Sequence, residues 1–182
     1  MYQSKIAGLG YYVPENVVTN DDLSQRMDTN DAWIQERTGI KERRHIVRGD
    51  GNSTATMGVK AAKIAIERAG ITKDDVDFII FATLSPDYYF PGCGVQVQEM
   101  LDIHTCPALD VRNQCSGFIY ALSIADQYIK TGMYQNILVT RFVNTMMIMG
   151  KKSLAERIFY TVLANILGCM GFALLLAATA AA

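Results

Sequence analysis

What this sequence lacks most is an excess of charge of either sign. Its 17 Lys and Arg stand against 18 Asp and Glu, a net charge of −1 across 182 residues. With no basic surplus there is little to neutralise phosphates, and nucleic-acid binding is not expected. Histidine is scarce as well, with His45 and His104 the whole supply. The four cysteines, Cys93, Cys106, Cys115 and Cys169, show no C-x-x-C spacing. That argues against a zinc centre or a disulfide framework, so no metal site is expected. The reducing cytoplasm is the compartment that fits. The opening Met1-Tyr-Gln-Ser-Lys-Ile6 lacks the charged-then-apolar order of a signal peptide. Apolar residues are plentiful, making up half of the chain, and the length suits one domain with a real core.

Strand and helix signals alternate. Residues 5–9 form a short apolar strand bounded by glycines and the turn at Pro14, and Val17 and Val18 extend the entry. Thr19 precedes acidic Asp21 and Asp22 as a helix N-cap would. A short helix is predicted from Asn30 or Asp31 to Thr38, with Gly39 as its stop. Lys41 to Arg44 form a basic cluster, and Gly49-Asp-Gly51 a loop. The longest helix opens with Ser53-Thr-Ala-Thr-Met57, carries Val59, Ala62, Ile66 and Ala69 on one face, and ends at Gly70. Residues 77–83 are a continuous apolar run, as a strand covered on both faces requires. A loop holding Pro86 and Pro91 leads to a helix over 94–101, and strands are predicted at 108–111 and 136–139. This alternation predicts an α/β sheet with right-handed crossovers.

The chemistry centres on one junction. After the strand at 108–111 come Arg112, Asn113 and Gln114, then Cys115. Ser116 and Gly117 lead into a helical pattern with Ile119, Leu122, Ala125 and Ile129 at spacings of three and four, closed by Gly132. A cysteine at such a junction is ordinarily a small buried filler. Beside a helix N-terminus, however, free N–H groups and the positive dipole end favour its thiolate and could polarise a bound carbonyl.

The run Asp110-Val-Arg-Asn-Gln-Cys115-Ser-Gly-Phe-Ile-Tyr-Ala-Leu122 closely resembles the nucleophile segment of the β-ketoacyl-acyl carrier protein synthase III family. These are condensing enzymes of thiolase fold that start fatty-acid synthesis. The resemblance implies a layered thiolase-like α/β half with a parallel or mixed sheet, and a helix after Cys115 lying between two sheets. It assigns Cys115 as the residue that takes the acyl group. The segment Asp28-Thr29-Asn-Asp-Ala-Trp33-Ile-Gln-Glu-Arg37-Thr-Gly-Ile-Lys-Glu-Arg-Arg44 is similar to the family's coenzyme A entrance, which assigns Thr29, Trp33 and Arg37 to the nucleotide. An indole and a guanidinium can sandwich an adenine. Phe90 matches an aromatic sent into a dimer partner's substrate tunnel. Acyl-coenzyme A and malonyl-acyl carrier protein are the implied substrates, a homodimer the implied assembly, and no separate cofactor is implied.

The resemblance covers residues 1 to about 139, read as an N-terminal half-domain, and 140–182 read as a foreign tail. Residues 140–165 resemble the first helical hairpin of small-subunit ribosomal protein seven. Gly150-Lys-Lys-Ser153 is not a phosphate loop, because Thr145 stands where that motif needs glycine and Lys152 where it needs Ser or Thr. Residues 158–182 are uncharged and long enough to cross a bilayer; a buried or collapsed apolar helix is expected, with a membrane anchor as the alternative. The strand at 136–139 would then lie open at a sheet edge. The family pairs its cysteine with a His and an Asn from the second half, and neither His45 nor His104 matches that position. Acyl transfer without condensation is therefore expected. The competing readings are a membrane-tethered noncatalytic half-domain and a ribosome-associated RNA-binding chain.

Overall fold

The computed structural model describes residues 2–113, 116–144 and 169–179. In chain order the elements are β1 (Gln3–Tyr12), β2 (Val17–Thr19), α1 (Asn20–Ser24), α2 (Asp31–Thr38), β3 (Glu42–Arg44), α3 (Thr54–Ala69), β4 (Phe78–Ala82), α4 (Cys93–Met100), β5 (Ala108–Val111), α5 (Gly117–Lys130), β6 (Asn136–Asn144) and β7 (Cys169–Thr179). They fall into two units: Met1–Tyr12, Ser53–Phe142 and Gly171–Ala182 form one, and Val13–Asn52 with Val143–Met170 the other.

The first unit is built on a five-stranded sheet of order β1-β7-β6-β4-β5. β4 runs parallel to both β5 and β6, and its five residues are all buried. Its unbroken Phe78-Ile-Ile-Phe-Ala82 sequence is what a strand covered on both faces needs. Ser53 caps α3 by accepting from the Thr56 N–H, and Gly70 ends it with a left-handed φ of 70°. The helix closes on β1 through small residues. A Cβ at Gly10 would stand 2.0 Å from the Ala61 carbonyl oxygen, and one at Gly8 2.0 Å from that of Ala65. These neighbours are backbone atoms, so a side chain could enter only if the whole helix moved. Gly10→Ala is expected to destabilise the protein by on the order of 3 kcal/mol, read as a shifted urea midpoint at unchanged slope. An unshifted midpoint would mean that α3 retreats without cost.

α5 buries Phe118, Ala121, Ala125 and Ile129 and ends at Thr131, followed by Gly132 with φ 75°. Its opposite side leaves Ile119 and Tyr120 exposed. The helix is therefore covered on one face within the described residues, where a helix between two sheets was expected.

The tail expectation is corrected. Cys169–Thr179 is a strand, not a helix. It pairs antiparallel with β1, from Gln3 opposite Thr179 to Tyr12 opposite Gly171, and fills the place beside β6. β6 is thus no open edge. An apolar run without charge carries no periodicity that separates a buried strand from a buried helix. Its Leu and Ala content favours helix locally, and the pairing with a distant strand decides otherwise. Among the described residues no helix is long and apolar enough to cross a membrane. The ribosomal-protein-like stretch, beyond Asn144, lies outside the described residues.

The second unit is organised by one amide. Asn20 is buried; its Nδ2 donates to Asp31 Oδ1 and to the Ile40 carbonyl, both at 2.7 Å, and its Oδ1 accepts from Arg43 Nη2 at 2.8 Å. α1, α2 and β3 are joined through it. The Lys41–Arg44 cluster largely becomes β3, antiparallel to β2 with Val18 opposite Arg43.

Candidate functional site

β5 ends at Val111, whose carbonyl accepts from the Thr83 N–H at 3.2 Å. α5 begins at Gly117, and Ser116 ahead of it makes no side-chain capping bond. The predicted strand-to-helix junction is therefore present, with its first-turn amides not taken by a Ser116 cap. Gln114 and Cys115 lie outside the described residues. Two other cysteines can be judged. Cys93 is fully buried, and desolvation pushes its thiol up to about 11. Burial raises the Cys106 thiol as well. Neither suits a nucleophile, which must reach the thiolate form near neutral pH.

Residues Thr29, Trp33 and Arg37 lie at the start and along α2. Asn30 caps that helix by accepting from the Trp33 N–H at 2.9 Å, and Gly39 closes it at φ 72°. One helical turn apart, Trp33 and Arg37 meet on the outer face, the guanidinium carbon 4.9 Å from the ring centroid. Trp33 is 51% exposed. The Thr29 Oγ1 is buried with no hydrogen-bond partner. The stacked pair leaves no slot between its members, since an intercalated ring needs two contact layers of roughly 3.5 Å each. Nearby in the same unit, desolvation and the Arg43 and Arg26 charges hold His45 below its ordinary value of 6.5. His104, in the first unit, is exposed and bonds Asp102 at 2.8 Å.

Phe90 is 91% exposed, on the loop between β4 and α4, with exposed Tyr88 and Tyr89 before it. Beside this loop a cavity of about 420 Å³ is lined by Ser53, Asp87, Tyr88, Gln96 and Met100. Its Ser53 and Asp87 already bond each other at 2.8 Å, so they are not free to grip a ligand. Among the described residues no group of three or more His, Cys, Asp or Glu could hold a metal ion. The sequence reading missed Asp87, Asp110 and Asn20 as organisers, because their partners are distant backbone and side-chain groups that no local pattern records.

The family described as 3-oxoacyl-[acyl-carrier-protein] synthase III matches residues 109–148. The β-ketoacyl-[acyl-carrier-protein] synthase III of Aliivibrio fischeri is 53% identical over 136 residues, which is 75% of this chain and 42% of that protein. A synthase III of Vibrio vulnificus is 54% identical over the same length and shares. Among solved structures, the 3-oxoacyl-[acyl-carrier-protein] synthase III of Aquifex aeolicus superposes with a TM-score of 0.80 at 37% identity, over 98% of this chain and 55% of that one. The synthase III of Thermus thermophilus gives 0.74 at 33% identity, over 94% and 50%. The chain thus spans about two fifths of the length of the curated relatives it matches.

Proposed function

From the premise that this chain belongs to the β-ketoacyl-acyl carrier protein synthase III family and has its thiolase-like fold, we propose that it accepts a short acyl group from acyl-coenzyme A on Cys115. The Cys115 thiolate attacks the thioester carbonyl carbon and forms a new carbon–sulfur bond. The bond to coenzyme A breaks, and coenzyme A leaves as a thiolate that takes up the proton lost by Cys115. First-turn amides of α5 are suited to hold the oxyanion between these events. The thioester brings its own activation, so no further cofactor is needed.

In the family's reaction the acyl group then condenses, with loss of carbon dioxide, onto malonyl-acyl carrier protein. That step, a cytoplasmic setting and a homodimer joined through Phe90 complete the reading. The observation that carries the coenzyme A part is the exposed Trp33–Arg37 stack on α2; Thr29, just ahead of that helix, has a buried hydroxyl with no hydrogen-bond partner. An indole face with a guanidinium beside it suits an adenine, and Arg37 suits the phosphates that follow.

Trp33 is the sole tryptophan, so the test needs no label. Titrating the full chain with coenzyme A is expected to quench its emission saturably. Arg37→Ala should raise the midpoint about ten-fold. A flat titration, or an unchanged midpoint in the variant, would remove α2 from the coenzyme A site.

A further inference from the structure

Two carboxylates pin the loop that carries Phe90. Asp87, inside the loop, accepts from Ser53 Oγ and from the N–H groups of Thr54 and Ala55, each at 2.8 Å. Beyond the aromatic tip, Asp110 of β5 accepts from the Cys93 N–H at 2.8 Å and the Gly94 N–H at 2.6 Å. The approach is close at Gly92, ahead of α4, and at Gly94, in its first turn. A Cβ at Gly92 would stand 2.0 Å from Asp110 Oδ2, and one at Gly94 2.7 Å from Oδ1. Arg112 adds a second hold: its Nη2 donates to the Tyr89 carbonyl, its guanidinium lies 5.3 Å from the Tyr89 ring centroid, and it sits 3.9 Å from Asp110.

Between these pins stand three exposed aromatics, Tyr88, Tyr89 and Phe90. On a slack loop, ordering such side chains would weaken any contact they make. A loop tied to two helix N-termini and one strand has already lost that freedom.

We propose that Asp110 and Arg112 are positioning residues for the Phe90 tip, fixing the aromatic loop to β5 so that it is presented in one preset conformation. The proposal rests on the reading of Phe90 as a contact with a second copy, yet the clamp can be tested apart from it. Asp110→Asn keeps the size and one acceptor oxygen but turns an N–H donor toward the second backbone N–H. Asp77→Asn is the matched comparator, because Asp77 Oδ2 also accepts two backbone N–H groups, from Gln135 at 3.0 Å and Asn136 at 2.9 Å.

The full chain is exposed to limiting chymotrypsin, and first cuts after Tyr88 or Tyr89 are timed by mass. Local opening controls such cuts, so Asp110→Asn should be cut about ten-fold faster, and Asp77→Asn within about two-fold of the parent chain. Sedimentation velocity on the same samples should show weaker self-association for Asp110→Asn and for Phe90→Ala, but not for Asp77→Asn. Equal acceleration in both Asp variants would overturn the proposal, since any lost carboxylate clamp would then do the same. No acceleration in Asp110→Asn overturns it too. If loop cutting accelerates while Phe90→Ala leaves association unchanged, the clamp stands and the reading of Phe90 falls. Should Asp110→Asn fail to fold, Arg112→Ala, which removes the hold on Tyr89 together with the ion pair to Asp110 and leaves the Asp110 carboxylate in place, is read by the same two measurements.

Discussion

A chain ending at Gly168 is expected to lose the cooperative thermal transition of its first unit and to self-associate. Without β7, β1 has no sheet neighbour among the described residues, because in the order β1-β7-β6-β4-β5 it stands at the edge beside β7. Pairing that runs from Gln3 to Tyr12 is lost at one stroke. At about 0.5–1.5 kcal/mol net per hydrogen bond, several such losses rival a total stability of about 5–15 kcal/mol. The truncation also opens β6 on one side, and open apolar edges recruit other chains. Circular dichroism melting with size-exclusion chromatography reads both effects. A truncated chain with the parent midpoint and a monodisperse profile would show that α3 alone holds β1 in place.

The second large effect concerns the nucleophile. Intact mass after incubation with acetyl-coenzyme A is expected to show one acetyl addition, abolished in Cys115→Ser and kept in Cys93→Ser. The contrast follows from thiol chemistry. With its thiol pushed to about 11, Cys93 is about one part in a thousand thiolate at pH 8, too little to compete with a cysteine at a helix N-terminus. Malonyl-acyl carrier protein should then leave the adduct unconsumed, because the resemblance assigns neither of the two histidines in this sequence to the condensing step. A missing oxyanion donor commonly costs about 100- to 1000-fold in rate. An adduct that survives in Cys115→Ser would sink the assignment of the nucleophile. A β-ketoacyl product would show that other donors serve.

Local chemistry was readable in the sequence wherever neighbours in the chain decide the outcome. Gly70 and Gly39 end α3 and α2 where their stops are predicted, and each helix starts within a residue of its expected position. The Trp33–Arg37 contact follows from their spacing of one helical turn. The unbroken apolar β4 was equally plain. What stayed hidden depends on partners far along the chain. β7 carries a pattern that fits helix as well as strand, and its sheet neighbours β1 and β6, both distant in the sequence, select the strand. The charged residues Glu42, Arg43 and Arg44 gave no strand signal, since β3 is held by pairing with β2 and by the bond from Arg43 to Asn20. The carboxylates of Asp87 and Asp110 look like solvated charges until the helix N-termini they cap are brought against them.

The partnership of β1 with β7 also governs the order of events while the chain is being made. β1 is complete at Tyr12, whereas its neighbour begins only at Cys169. At roughly 5–20 residues per second, synthesis leaves the first strand without its sheet partner for about 8–30 s. α3 can cover one face of it within that interval, since the close glycine contacts need nothing beyond Ala69. The backbone edge has no such early cover. The newborn chain therefore depends on whatever keeps nascent strands apart until β7 arrives.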